Sequence, residues 1–221
     1  LDPHRKTTGP SITNIRRFII DTRLILATFV TLVLPAVMAF WITIHGCLKF
    51  WRRAGVIPAY SAATITMAIA ACFAWHWREL LLGPDLGFSW LTVIPGVLIY
   101  TVFIWLSKSV RAHLSLSTFA GVPEIKNNSQ CLITEGPYTV VRHPRYTLVI
   151  VGIIGWCLVC NFLGTYLVGV AAILGFYFIA ALEERELRQR FGQAYVEYQA
   201  KVPQLIPTFT GLVSLFRFRK A

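Results

Sequence analysis

The sequence predicts an all-α integral membrane protein of about five transmembrane helices, the last two paired as a C-terminal helical hairpin. Three observations carry this. Hydrophobic residues make up 56% of the 221 and charged residues only 14%, which is not the composition of an ordinary soluble domain. Several apolar runs are long enough to cross a hydrocarbon core of about 30 Å. The net charge of +11 gathers in the gaps between those runs. Nucleic acid is not the expected partner, because no basic helix is interleaved with polar faces. Attraction to anionic membrane lipids accounts for the charge better. The five cysteines, Cys47, Cys72, Cys131, Cys157 and Cys160, lie mostly within or at the ends of apolar runs, an odd set that does not read as a disulfide framework.

Taken in order, residues 1–23 place Arg5, Lys6, Arg16, Arg17 and Arg23 among Ile15, Phe18, Ile19 and Ile20. That pattern fits either a short interfacial helix or a solvated flank of the first span. The chain begins at Leu1, consistent with a trimmed start, and no short signal peptide is visible. The first span covers 24–44, with Pro35 inside it, which membrane helices tolerate. Lys49, Trp51, Arg52 and Arg53 then form a basic, aromatic interface. The second span is 56–75 and the third 91–106, separated by a turn with Arg78, Glu79 and Asp85. Residues 107–146 are the longest polar interval, and loops of that length usually carry function. Spans 147–159 and 163–181 are joined by a turn with Asn161 and Gly164, so they form a hairpin whose first helix is short. Gly152, Gly155, Gly169, Ala171, Ala172 and Gly175 would let the two hairpin backbones approach. The last span continues into Glu183–Arg190 and ends at Phe191-Gly192. A short amphipathic helix over 194–202 follows, and Pro203 and Pro207 either stop it or fold the tail over the site.

The basic gap after the first span, the long loop and the C-terminal region fall on one side of five spans, read as cytoplasmic. The basic N-terminus then lies opposite, against the rule. Residues 1–106 form an N-terminal segment with three spans, and 107–221 form the core that carries the chemistry.

That core centres on 131–146. Gly136-Pro137 marks a tight turn, and Pro144 starts a helix where its missing N–H is no loss. Arg142, His143 and Tyr146 are thereby held at the membrane surface, at a helix start that favours negative charge. The hairpin brings Glu183 and Glu184 back to the same face. Acids at the end of a span are costly unless partnered or functional. Glu184 has Arg188 four residues on and Glu186 has Arg190, both ordinary helical pairs. Glu183 has no such local partner, and must find a cation in the protein or in a ligand. Cys157-Leu-Val-Cys160 lacks a second ligand pair and reads as buried packing, and no metal is expected. His45, His76 and the tryptophans, Trp41 among them, read as interfacial anchors. Tyr195 and Tyr198 read as packing for the terminal helix.

Leu132…Gly136-Pro-Tyr138…Arg142-His-Pro-x-Tyr146, Glu183-Glu184, Phe191-Gly192…Tyr195…Tyr198 and Val202-Pro…Ile206-Pro207 together resemble the isoprenylcysteine carboxyl methyltransferase family, over about residues 105–209. The phospholipid N-methyltransferases share a looser version. The resemblance implies S-adenosyl-L-methionine bound in a cytosolic region between the loop and the hairpin, with a lipid-like or prenylated acceptor arriving from the bilayer. It implies cofactor contacts at Gln130, Cys131, Leu132, Ile133, Tyr138, His143, Pro144, Arg145, Tyr146 and Glu183, and Arg142 and Glu184 stand as catalytic candidates. No obligate protein partner is expected. The membrane implied is a bacterial inner membrane or the endoplasmic reticulum. The eukaryotic members place a substrate-binding arginine four residues before the cofactor glutamate. Ile179 stands there in this chain, with Arg142, Arg145 or Arg185 as possible substitutes.

Such a methyl donor carries a sulfonium, an ammonium and a carboxylate, and so needs acids or aromatic faces together with cations. A carboxylate acceptor would need no general base, whereas an amine acceptor would, with His143, Glu183 or Glu184 as candidates. A membrane reductase using NADPH, a phospholipid N-methyltransferase and a lipid-binding or transport protein are the rival readings. The intact Gly136-Pro-Tyr and Glu183-Glu184 disfavour the reductase, and charges gathered at span ends disfavour transport.

Overall fold

The computed structural model describes residues 12–112, Ile125 and 132–211. Among these the secondary structure is helical. Helix α1 spans Ile12–Gly46, α2 Leu48–Ala54, α3 Val56–His76, α4 Arg78–Leu82 and α5 Trp90–Ala112. A single 3-10 turn at Gly136–Thr139 follows, then α6 Pro144–Cys160, α7 Leu163–Phe191 and α8 Gln193–Lys201. Four segments are long and apolar enough to cross a membrane: Asn14–Gly46, Val56–His76, Trp90–Lys108 and Leu163–Phe191.

The fifth expected span is α6, with 17 residues. At 1.5 Å per residue it reaches only about 25 Å, short of the hydrocarbon thickness. Burial compensates for its length. Tyr146, Leu148, Gly152, Ile153, Gly155, Cys157 and Cys160 are all buried, because α6 packs between α1, α5 and α7. Residues 12–23 are not a separate interfacial helix. They are the first turns of α1 itself.

Close approach is distributed differently from the expectation. A Cβ at Gly96 would sit 2.9 Å from the Gly155 carbonyl, and one at Gly155 would sit 3.1 Å from Gly96 O, so these glycines join α5 to α6. Gly152 faces Phe103 of α5, and Gly175 faces Met38 of α1. Of the four glycines assigned to the hairpin, only Gly169 meets its partner helix, at Cys157 and Ile153. The sequence pattern shows which positions are small but not which neighbour each one faces.

The hairpin turn is built on Asn161, whose φ of 53° is left-handed, a conformation asparagine accepts more readily than most residues. Arg23 is buried against this turn. It donates from Nε to Cys160 O at 3.0 Å and from Nη2 to Asn161 O at 3.2 Å and Asp85 Oδ1 at 2.5 Å. Arg23, Asp85 and Asn161 therefore mark one end of the bundle. Trp41, Arg52, Arg145 and Glu186 mark the other, through an ion pair between Arg52 and Glu186 and a guanidinium–indole contact between Arg145 and Trp41.

Candidate functional site

The two polar stretches far apart in sequence meet at that second end. Gly136, at φ 60°, turns the chain into the 3-10 turn, and Pro137 is buried at its second position. The chain then runs through Arg142 and His143 to Pro144, the first residue of α6. His143 is buried beside the C-terminal part of α7. Its Nε2 lies 3.2 Å from Glu184 Oε1, and its Nδ1 lies 3.5 Å from Glu183 Oε2. Both ring nitrogens thus face carboxylates, and both can donate only when the ring is protonated. Burial opposes charge on the imidazole, but Glu183 and Glu184 outweigh it and push His143 up to about 9. The ring also stacks against Tyr146, with centroids 5.6 Å apart.

Glu184 is the more deeply held acid. It accepts from Arg142 Nε at 2.7 Å and from Gln199 Nε2 at 2.8 Å in addition to His143. This corrects the helical pairing expected with Arg188. Glu186 likewise pairs with Arg52 of α2 rather than with Arg190. A tertiary partner in a buried site outcompetes an exposed neighbour one turn away, because solvent screens the exposed pair. Arg142 Nη1 donates to the carbonyls of Gln199 and Val202. The backbone N–H groups of Arg142 and His143 donate to Pro203 O at 2.9 Å and Gln204 O at 3.1 Å, and Thr147 Oγ1 donates to Leu205 O at 2.7 Å. Residues 199–205 therefore strap the loop from behind.

Glu183 differs from its neighbour. Its Oε2 is buried, and it has no hydrogen-bond partner among the described residues beyond the ion-pair distance to His143. It lines a cleft of about 420 Å³ with His45, Lys49, Arg52, Arg185 and Glu186. Arg145 stands nearby, its guanidinium 4.4 Å from the Trp41 ring and 4.8 Å from the Tyr146 ring, donating to Tyr146 Oη at 2.9 Å. Trp41 stacks on His45 one turn along α1.

Of the expected site residues, Tyr138, Arg142, His143, Pro144, Arg145, Tyr146, Glu183 and Glu184 gather here. The Tyr138 carbonyl accepts from Tyr198 Oη at 2.7 Å. Leu132 packs with Tyr195, Tyr198 and Val202, while Ile133 is exposed. Gln130, Cys131 and His113 lie outside the described residues, as do the rest of residues 113–124 and 126–131 of the long loop. No cluster of three metal-ligating side chains occurs among the described residues. Cys157 and Cys160 are free and buried in the hairpin, where Cys157 Sγ donates to Thr165 O.

Trp41, His45, Arg52 and Gln199 also border this region, beyond the residues that the sequence singles out. Trp41 and His45 are four residues apart at the end of the first span, and that shared helix face was the available signal. Gln199 carried none.

The family model for phospholipid methyltransferases matches residues 91–194. The chain is 26% identical over 169 residues to protein-S-isoprenylcysteine O-methyltransferase B of Arabidopsis thaliana, covering 75% of this chain and 83% of the relative. It is 32% identical over 163 residues to the protein-S-isoprenylcysteine O-methyltransferase of Xenopus laevis, covering 67% and 53%. It is 30% identical over 145 residues to a probable protein-S-isoprenylcysteine O-methyltransferase of Oryza sativa subsp. indica, covering 64% and 74%. No solved structure matches significantly.

Proposed function

The chain belongs to the protein-S-isoprenylcysteine O-methyltransferase family, and from that premise we propose that it moves a methyl group from S-adenosyl-L-methionine to the carboxylate of a prenylcysteine-like acceptor. It is an integral membrane methyltransferase, and we place its site on the cytoplasmic side. The observation that carries the reading is the contact of His143 with Glu183 and Glu184, which closes the loop before the hairpin onto the helix leaving it.

The residues suit such a donor. Glu183 Oε2 retains accepting capacity and would take the ammonium. The rings of Tyr146 and Trp41 and the Arg145 guanidinium supply the aromatic faces and the cation. Tyr138 and Pro144 shape the turn beside them, and Gln130, Cys131, Leu132 and Ile133 complete the proposed lining. When bound, the donor supplies a methyl activated by a sulfonium, and the chain's part is to position it and exclude water. Arg142 and Glu184 remain the catalytic candidates, and we assign them a positioning role, since their contacts are with each other, His143, Gln199 and Val202.

The phospholipid family model raises an amine acceptor as a second reading. An amine must lose a proton. His143 at about 9 already holds its proton at neutral pH, and Glu184 accepts from three donors. Glu183, the third candidate, is assigned to the donor's ammonium, and a carboxylate is ionised and needs no base, so we favour the carboxylate acceptor. The test is calorimetry of purified protein with S-adenosyl-L-methionine and with NADPH, followed by transfer of labelled methyl to a prenylcysteine analogue and to a lipid extract. Donor binding and a base-labile methyl ester are expected. NADPH binding without donor binding, or label in phospholipid alone, would overturn the proposal.

A further inference from the structure

The three arginines weighed as substitutes at the acceptor site differ in what they have left to donate. Arg142 is committed to Glu184 and to the Gln199 and Val202 carbonyls. Arg145 is sandwiched against Trp41 and Tyr146. Arg185 is exposed, lines the 420 Å³ cleft, and has no ion pair among the described residues. Lys49, reaching the same cleft from α2, is in the same condition.

Among the described residues, the charges of the cleft sum to a definite sign. Arg52 is matched by Glu186, and Glu183 faces the protonated His143. Lys49 and Arg185 are left over, two positive charges at the mouth of a cleft whose inner wall is the candidate cofactor acid. Ile179, at the position of the family's substrate arginine, is fully buried in the core and offers nothing to a ligand.

Helical spacing supplies the rest. Leu174, Phe178 and Leu182 recur every four residues on α7 and lead to Arg185 and Glu186 on the same face. Leu174 is 64% exposed and Phe178 57%, so the stripe faces the hydrocarbon directly below the cleft. Phe50 flanks the cleft from α2 and is also exposed.

We infer that Lys49 and Arg185 recognise the carboxylate of the methyl acceptor, whose apolar chain lies along Leu174, Phe178 and Leu182. The inference rests on the reaction proposed above. An ionised acid leaving the bilayer meets two uncommitted cations beside Glu183, and charge-assisted hydrogen bonds from both fix one end of the acceptor. A cationic amine head group would be repelled by the same pair.

The test uses the full chain in zwitterionic phosphatidylcholine nanodiscs, with an S-prenylated cysteine bearing a free carboxylate and its carboxamide counterpart as probes. K49Q and R185Q should each weaken binding of the carboxylate probe about tenfold, the worth of one charge-assisted hydrogen bond. In methyl transfer the same variants should raise KM and leave kcat and donor affinity near wild type. The carboxamide should bind wild type and variants alike, and R185K should recover part of the loss. Unchanged carboxylate affinity in both variants overturns the assignment. So does an equal weakening for carboxylate and carboxamide, which would mean lost packing rather than lost recognition. A loss seen only when anionic lipid is added would assign the cations to membrane head groups and overturn it too. If wild type binds the donor but never methylates the prenylcysteine, the proposed reaction itself falls, and this inference with it.

Discussion

The two ends of the α6–α7 hairpin are both tied by buried ions, yet they differ in what is left over. At the turn, the Arg23 guanidinium makes four hydrogen bonds, to Cys160 O, Asn161 O and both oxygens of Asp85, and Phe162 covers it. The Asn161 amide is itself used, donating to Gly87 O and accepting from Tyr166 Oη. At the open end, Arg142, His143, Glu183 and Glu184 balance in charge, but one Glu183 oxygen lacks a hydrogen bond among the described residues and a cleft opens beside it. Buried charge alone therefore does not mark chemistry. The turn is a clamp because its groups answer one another. We propose the open end as the site because one acid keeps accepting capacity and a cleft lies beside it.

The largest expected effect tests whether the open end is also a clamp. Glu184→Ala removes the acceptor shared by Arg142, His143 and Gln199 and leaves buried donors unanswered. Breaking a buried ion pair from one side costs about 3–5 kcal/mol. Denaturant unfolding in detergent should show a loss of that size, with the 199–205 strap released to protease. An unchanged midpoint would mean the loop is held by the strap alone. Arg23→Leu should cost somewhat less, about 2–3 kcal/mol, because the Asp85 it abandons is 37% exposed and can hydrate. Donor affinity of the folded fraction should match wild type. A fall in donor affinity would erase the distinction between the two ends.

Local and long-range features of the chain divide along the same line. The spans, the hairpin, the turn at Gly136-Pro137 and the helix start at Pro144 follow from hydrophobic run length and from proline and glycine geometry, which are local properties. The convergence of His143 with Glu183 also follows, because a hairpin of two helices must return the chain to its starting face. Pairings between elements were not legible. Glu184 and Glu186 had arginines at ideal helical spacing, and both chose partners from other elements. Arg23 looked like one more basic residue of a polar flank. Its burial at the turn removes one charge from the N-terminal segment that sits against the positive-inside rule, since that charge is cancelled by Asp85. Spacing along one helix gives the reach of a side chain but not the competition for it.

Two further effects sharpen the contrast. Glu183→Gln keeps the shape of the side chain and removes the charge that the cleft and His143 share. Donor affinity should fall roughly ten- to thirtyfold, the worth of one charge-assisted contact, while the unfolding midpoint moves little because Glu184 still holds Arg142 and His143. Equal donor affinity by calorimetry would remove Glu183 from the site.

The most gradual effect is one of pH. His143 is raised from 6.5 unfolded to about 9 folded, so the native state binds the proton more tightly than the unfolded chain does. Its contribution to stability is complete below about pH 6.5 and is lost as pH rises through about 9. One proton limits the slope to about 1.4 kcal/mol per pH unit between those values. Unfolding midpoints measured from pH 6 to 10 should decline across that window and level off above it, and His143→Gln should flatten the decline. Arg23 lies at the opposite end of the hairpin from His143, so Arg23→Leu should lower the whole curve without changing its slope. A wild-type curve that is flat from pH 6.5 to 9 would mean that His143 is neutral between its two carboxylates, and the case against an amine acceptor would fall with it.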